Sequence, residues 1–437
     1  MKRKLQHCHT GFRLSTVTGD QQYIKASAKY YAVALFGGGG PILIGRHDRP
    51  GRFSSGTSPI VEGHTGSVLD MDFNPFDDSM FASASEDTTI KLWSIPAEWE
   101  PTDEKGLAKS GNTLNESLVD LTGHAKKVTL LKFHPTASNV LASTSSDYTV
   151  KIWDVETAEE ISSMSDFGTN LIQDIVWDTR GEVYVTSCKD KRVRFCDPRT
   201  GGVSSTIEKA HDGLKSVKLA YLGETGKLLT TGASRSREIK IWDIKNLSKP
   251  LSTQSIDTSS GALLPLFDSD SNVLFLCGKG DGIIRPYEFE DKEPYLHKLN
   301  DGFRSTVPAK GLCLVPKRGL NVMGCETARI LKLTNNEGIH PLSWTVPRKS
   351  DAFQPDIFPD CVSDIPAHTA EEWNEGSAKT PLRMSLNPAE SGSVNAGGKK
   401  KAKLKTVSSL SAELKDAKER IKYLEEKLRE SSIEFDE

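Results

Sequence analysis

A phrase that opens on Gly-His and closes on Trp-Asp recurs along the chain, and its period restricts the fold more than any other feature. One copy runs from Gly63-His64 through Asp87 to Leu92-Trp93, and the next from Gly123-His124 through Asp147 to Ile152-Trp153-Asp154. A third ends at Asp190 and Phe195-Cys196-Asp197, and a fourth runs from Ala210-His211 to Ile241-Trp242-Asp243. The six-residue step from Asp87 to Trp93 returns between Asp281 and Tyr287, with a weaker echo from Glu326 to Leu333. Trp153 to Cys196 is 43 residues, Cys196 to Trp242 is 46 and Trp242 to Tyr287 is 45. A period of about 40–45 with this signature specifies four-stranded propeller blades. Trp93 to Trp153 is 60, and the excess falls in a polar stretch, 96–117, that reads as one long surface loop.

Each phrase has a local logic. Val68, Met71 and Phe73 make one strand, as do Val128, Leu131 and Phe133, and Asn74-Pro75 and His134-Pro135 turn the chain. Phe81-Ala82-Ser83 and Leu141-Ala142-Ser143 are the next, more buried strand, and Asp87 and Asp147 sit in the turn before the third. His64, Ser83, Asp87 and Trp93 form one candidate hydrogen-bonded chain, and His124, Ser143, Asp147 and Trp153 another. A His, an Asp and a Ser together resemble a catalytic triad. Their return at the same relative positions marks them instead as a structural device whose buried polar groups satisfy one another.

Seven blades account for residues 1–345. Residues 12–47 form a first blade without a Trp-Asp ending, four blades end near 93, 153, 196 and 242, and 263–287 and 311–333 supply the sixth and seventh. Isolated blades cannot bury their faces, so the ring closes, with an N-terminal strand completing the last blade. The fold class is all-β: a seven-bladed WD-repeat β-propeller with a C-terminal extension and a C-terminal α-helical coiled coil.

Composition excludes several functions. Across 437 residues, 36% hydrophobic and 26% charged, the net charge is -3, which gives no global attraction to nucleic acid. There is no apolar run of about 18 residues, hence no membrane span, and the basic N-terminus lacks the apolar core of a secretory signal. The seven cysteines are scattered without a Cys-x-x-Cys pair and read as reduced, buried thiols; no spacing suggests a metal site. Gly37-Gly38-Gly39-Gly40 precedes Pro41 and a strand, with no following Lys-Ser or Lys-Thr, so it is a hairpin turn and not a phosphate loop. No cofactor and no enzymatic activity are expected.

Residues 346–387 are rich in Pro and aromatics, Trp373 among them, and read as an extended strap on the propeller surface. Residues 388–406 are a short linker with a basic cluster, Lys399, Lys400 and Lys401, which is either a solvated charge run or a contact for an acidic filament or lipid. Residues 407–432 carry heptads: Val407, Leu414, Ile421 and Leu428 at a, Leu410, Ala417 and Leu424 at d. In parallel register Glu413 faces Lys418 and Arg420 faces Glu425, so no pair repels. The seam, about 37 Å long at 1.5 Å per residue, gains its order by association. The a and d residues leave dimer and trimer open; the phrase from Arg420 to Glu425 matches one found in short parallel trimers.

Several further phrases occur in order: Thr186-Ser187-Cys188-Lys189-Asp190-Lys191-Arg192-Val193-Arg194, Asp257-Thr258-Ser259-Ser260-Gly261, Leu276-Cys277-Gly278-Lys279-Gly280-Asp281, Pro316-Lys317-Arg318-Gly319-Leu320, Val346-Pro347-Arg348-Lys349-Ser350-Asp351 and Thr369-Ala370-Glu371-Glu372-Trp373. With them the chain resembles a short coronin over nearly its whole length. The resemblance implies a cytoplasmic protein of the cortical actin cytoskeleton that binds and bundles F-actin as a parallel homotrimer. It also implies engagement of the actin-related-protein branching complex and of cofilin-type severing factors. Phe12-Arg13-Leu14-Ser15 lies where the family has a filament-binding Arg, so Arg13 is carried over; Lys191, Arg192 and Arg194 are further candidate filament contacts. The chain departs from the family at its start, where residues 1–7 lack the usual basic-aromatic strand phrase, and in its short linker. A WD-repeat scaffold or adaptor for non-actin partners is the alternative reading.

Overall fold

Each blade is a sheet that has, from the centre outward, an inner strand, a buried second strand, a third strand and an outer strand. In blade three these are Val128–Phe133, Val140–Ser145, Val150–Asp154 and Glu159–Met164. The second is buried along its whole length, whereas the outer one is largely exposed, as a propeller rim requires. The computed structural model describes residues 2–5, 9–17, 19–49, 51–53, 58–99, 113–213, 215–299, 302–335, 338–350 and 352–390, with 415, 418 and 420–422 of the tail. Among the described residues seven such sheets occur. Their inner strands, Ile24–Ala26, Val68–Phe73, Val128–Phe133, Ile172–Trp177, Lys218–Tyr221, Leu263–Asp268 and Gly311–Leu314, pack side by side, the last against the first.

The ring closes through the N-terminus. Lys2–Leu5 pairs antiparallel with Gly338–Thr345, from Lys2 opposite Thr345 to Leu5 opposite Leu342. The family's usual phrase is missing there, yet a strand edge needs only backbone N–H and C=O partners, which any non-proline sequence provides. Blade one extends beyond its expected range. Its outer strand is Ile60–Val61, and Thr113–Leu114 adds to it in parallel. The insert between the first two Trp residues thus returns to the neighbouring blade; residues 100–112 of it lie outside the described residues.

The register of blade four places Cys196 in the Trp column. Phe81 pairs with Trp93, Leu141 with Trp153 and Leu228 with Trp242, and Tyr184 pairs with Cys196 in the same way. Trp93, Trp153 and Cys196 each stand six residues after the turn aspartates Asp87, Asp147 and Asp190.

Because successive strands are antiparallel, the second-to-third-strand turns and the links between blades share one face, here the upper. The first-to-second-strand turns share the lower face. The extension docks below. Ala367 N donates to Thr136 O (2.9 Å) and Ser138 N to His368 O (3.0 Å). Thr369 and Glu372 form a capping box that starts the helix Ala370–Asn374. That helix buries Trp373 completely against blades three and four. Arg199 clamps its end, donating to Trp373 O (2.8 Å) and Ser377 O (3.0 Å). Cys361–Val362 pairs with Arg383–Met384 beyond it.

In the tail, Lys415, Lys418, Arg420, Ile421 and Lys422 are helical, and Ile421 is exposed in the single chain. Val407, Leu410, Leu414, Ala417, Leu424, Glu425 and Leu428, like Lys399, Lys400 and Lys401, lie outside the described residues.

Candidate functional site

The upper face carries the candidate contacts. Residues 9–17 enter from the rim, where His9 bridges Ile339, and run inward beside blade one. Phe36 N donates to Arg13 O (3.0 Å), Ser15 N donates to Ala34 O (3.3 Å), and the Leu14 side chain is buried. The backbone on both sides of Arg13 is therefore fixed while its side chain is exposed. The guanidinium sits 4.1 Å from the centroid of the Phe36 ring, and Phe36 is itself 47% exposed. Such a cation–aromatic stack orders a long side chain without neutralising it, for about 0.5–1 kcal/mol at an exposed site. No carboxylate among the described residues pairs with Arg13. Phe36 was not visible as a site residue in the sequence, where it reads as the last residue of a strand before four glycines. The turn explains its position: Leu35 N bonds Pro41 O (2.9 Å), and Gly39 and Gly40 take positive φ of 82° and 56°.

Lys191 and Arg192 lie on the same face, in the second-to-third-strand turn of blade four. Lys191 takes the left-handed turn position (φ 70°) that Thr88 and Tyr148 occupy in blades two and three, and its Nζ donates to Asp212 O at 2.6 Å. Arg192 is exposed and pairs with Glu208 at 2.8 Å. The expectation that Arg194 offers a surface cation is corrected. Its side chain is only 7% exposed, grips the Asp190 carboxylate through both terminal nitrogens (3.3 and 2.7 Å) and stacks on Phe167. Burial would lower the guanidinium, but the bond to Asp190 outweighs it. Arg194 secures the turn that carries the other two.

The residues that resemble a triad form closed chains. His64 Nδ1 meets Asp87 Oδ2 at 2.8 Å, His64 Nε2 meets Ser83 Oγ at 2.7 Å, and Trp93 Nε1 donates to the same hydroxyl at 2.8 Å. In the next blade His124–Asp147, His124–Ser143 and Trp153–Ser143 measure 3.0, 2.8 and 2.8 Å. Burial alone would raise the Asp87 carboxyl; hydrogen bonds from His64 and Thr89 hold it well below the usual range. Ser83 and Ser143 are fully buried with an indole N–H on each hydroxyl, so neither can reach a substrate. A third chain escaped the sequence. His211 contacts Thr230 (2.8 Å), Trp242 donates to Thr230 (3.0 Å), and the acid is Glu238 (2.8 Å), supplied by a strand and not by the turn.

The central channel, about 480 Å³, is lined by charges from the inner strands. Asp70 and Asp72 form a carboxylate pair that the sequence reading did not register, and Lys25 stands 3.6 and 3.8 Å from them. Both are committed to the fold: Asp70 accepts Leu131 N (3.0 Å), Asp72 accepts Phe133 N (2.9 Å), and Asp174 likewise accepts Leu219 N (2.8 Å). Each carboxylate thus ties one inner strand to the next. Among the described residues no group of His, Cys, Asp or Glu is placed to hold a metal, the six described cysteines are buried and free, and no helix is long and apolar enough to cross a membrane.

Comparison with known proteins agrees with this architecture. The family described as "WD domain, G-beta repeat" matches residues 57–94 and 115–154, and a "Type of WD40 repeat" matches 339–381. Human Coronin-2A is 38% identical over 391 residues, which cover 88% of this chain and 72% of that protein. Bovine Coronin-2A is 38% identical over 392 residues, with the same coverage. The crystal structure of the WD40 domain of Toxoplasma gondii coronin superimposes with a TM-score of 0.81 at 32% identity, covering 89% of this chain and 97% of that one. The chain belongs to the coronin family.

Proposed function

We propose that this coronin binds actin filaments through the upper face of its propeller and gathers several propellers on one filament through its C-terminal heptads. The observation that carries the reading is the Arg13–Phe36 pair, a fixed, exposed cation without a carboxylate partner among the described residues. An acidic, repetitive polymer suits it, and Lys191 and Arg192 add positive charge on the same face. One such patch binds weakly. Linked copies make each later contact intramolecular, which raises avidity by about 100–10,000-fold when the geometry permits. The seam from Val407 to Leu428, with Arg420 and Glu425, supports a parallel trimer. Bundling, engagement of the actin-related-protein branching complex and of cofilin-type factors, and a place in the cytoplasmic actin cortex are the functions this arrangement would serve. The scaffold is not read as an enzyme.

Co-sedimentation with filaments tests the reading. The full chain should pellet, Arg13→Asp should pellet far less at equal stability, and a chain ending at Pro388 should lose affinity by about 100-fold or more. Equal pelleting of the full and shortened chains would reject avidity, and pelleting unaffected by Arg13→Asp would reject the contact. Sedimentation equilibrium of residues 400–437 should return a trimer mass; a dimer mass would reject the stoichiometry.

A further inference from the structure

The segment that carries Arg13 continues across the mouth of the channel, where Asp20, Gln21 and Gln22 line the opening. Three other blades fasten it. Lys310, just before the inner strand of blade seven, donates from Nζ to Ser15 O. Lys279, in the upper turn of blade six, donates to Gly19 O (2.5 Å) and Gln21 O (2.6 Å). Ser216, just before the inner strand of blade five, donates to the Asp20 carboxylate. Tyr23 closes the loop on itself through its hydroxyl to Val17 O (2.7 Å), and both ammonium groups lie 4.9 Å from the centroid of its ring. The fit is close: a Cβ added to Gly311 would stand 1.6 Å from Gln22 O.

We propose that residues 15–17 and 19–22 are a latch, fastened by Lys279 and Lys310, whose closed position presents Arg13, so that both lysines are positioning residues for the filament contact. The role in filament binding rests on the reading of Arg13 above; the latch itself does not.

The chemistry gives the latch a pH dependence with a definite sign. Burial brings the Lys279 ammonium down to about 8; Lys218 and Lys310 push it the same way and Asp20 opposes them. Burial lowers Lys310 as well. Tyr23, pushed up to about 12 by burial and Asp20, keeps its proton throughout the relevant range. A released Lys279 would regain its ordinary affinity for protons, so protonation favours the open loop and deprotonation the closed one. The neutral amine still has two N–H groups for its two carbonyl acceptors. Raising the pH from 7 to 9 should therefore reduce the open population, by about tenfold for a group shifted this far.

Hydrogen exchange of the amides in residues 14–22 of the full chain, normalised to intrinsic rates, tests this. Protection should rise about tenfold from pH 7 to 9 in the wild type and rise less in Lys279→Arg, which does not titrate there and leaves only Lys310 to respond. Lys310→Met and Gly311→Ala should lose protection at both pH values. Wild-type protection that is flat or falls with pH would overturn the latch without any variant having to fold; so would unchanged protection in Lys310→Met. In filament co-sedimentation Lys310→Met should bind as weakly as Arg13→Asp. An open loop with unchanged pelleting would overturn the positioning role. Wild-type protection that responds to pH while the wild type fails to pellet would reject the filament reading and leave the latch standing.

Discussion

Trp373 of the C-terminal extension meets His134 of blade three edge-on, with ring centroids 4.9 Å apart, and its indole nitrogen donates to Gly181 O at 3.2 Å. Trp177 and the Arg199 guanidinium complete the socket. The extension is therefore part of the fold's lower face, and one side chain anchors it. Trp373→Ala should destabilise the protein by about 3–5 kcal/mol in urea unfolding. It should also open residues 352–390 to limited proteolysis.

Ser83 accepts from Trp93 and contacts His64, so removing its hydroxyl leaves two buried ring nitrogens without their shared partner. Ser83→Ala should lower stability by about 1–3 kcal/mol. Ser143→Ala should cost a similar amount. Because the two chains share no atoms, the double variant should show the sum of the two losses within about 0.5 kcal/mol, read from denaturant midpoints.

Burial brings the imidazoles of His9 and His47 down to about 4 and that of His134 to about 3. Each is neutral when folded and takes up a proton more readily when unfolded. Their stabilising contribution is intact above the ordinary histidine value and is lost as the pH falls from there toward 4. Unfolding free energy should decline below pH 6.5, by about 1.4 kcal/mol per pH unit for each group within that window. Denaturation curves at pH 7, 6 and 5 measure the slope, and His134→Gln should make it shallower.

Arg237 joins blades five and six. Its side chain is 1% exposed and pairs with Asp257 (2.6 Å) and Asp281 (2.7 Å), and Arg285 reaches Asp257 as well (2.6 Å). Arg237→Met keeps the volume but strands the Asp281 carboxylate and leaves the Asp257 carboxylate to Arg285 alone. It should cost about 3–5 kcal/mol. Asp281→Asn, which removes one of those charges, should recover part of the loss when combined with it, and thermal unfolding would show the recovery.

How much of this was legible in the sequence follows from where the partners lie. His64, Ser83, Asp87 and Trp93 sit inside one repeat, so their spacing announces them. Glu238 was missed because it replaces the turn aspartate from a strand, where the phrase has no place for an acid. Cys196 was legible in the Trp column because Asp190 stands six residues before it, as Asp87 does before Trp93. Arg194 reads as one of three surface cations, and only its contact with Asp190 and Phe167 reveals a buried role. Arg237 and Asp281 are 44 residues apart in different blades, and the lysines of the latch are more than 250 residues from the loop they hold. Contacts between blades leave no local pattern. Family resemblance located Arg13, yet Phe36 beneath it emerged only from the fold.

The pairing of Lys2–Leu5 with Gly338–Thr345 also sets a timetable for biogenesis. The outer strand of blade seven leaves the ribosome before the first blade, and its partner follows more than 300 residues later. At about 5–20 residues per second that interval is roughly 15–70 s. Until it ends, the edge of Gly338–Thr345 does not exist and both ends of the nascent ring stay unpaired. Closure is thus a late event in synthesis, and a chaperone that shields strand edges would act on this chain before its C-terminal helix is made.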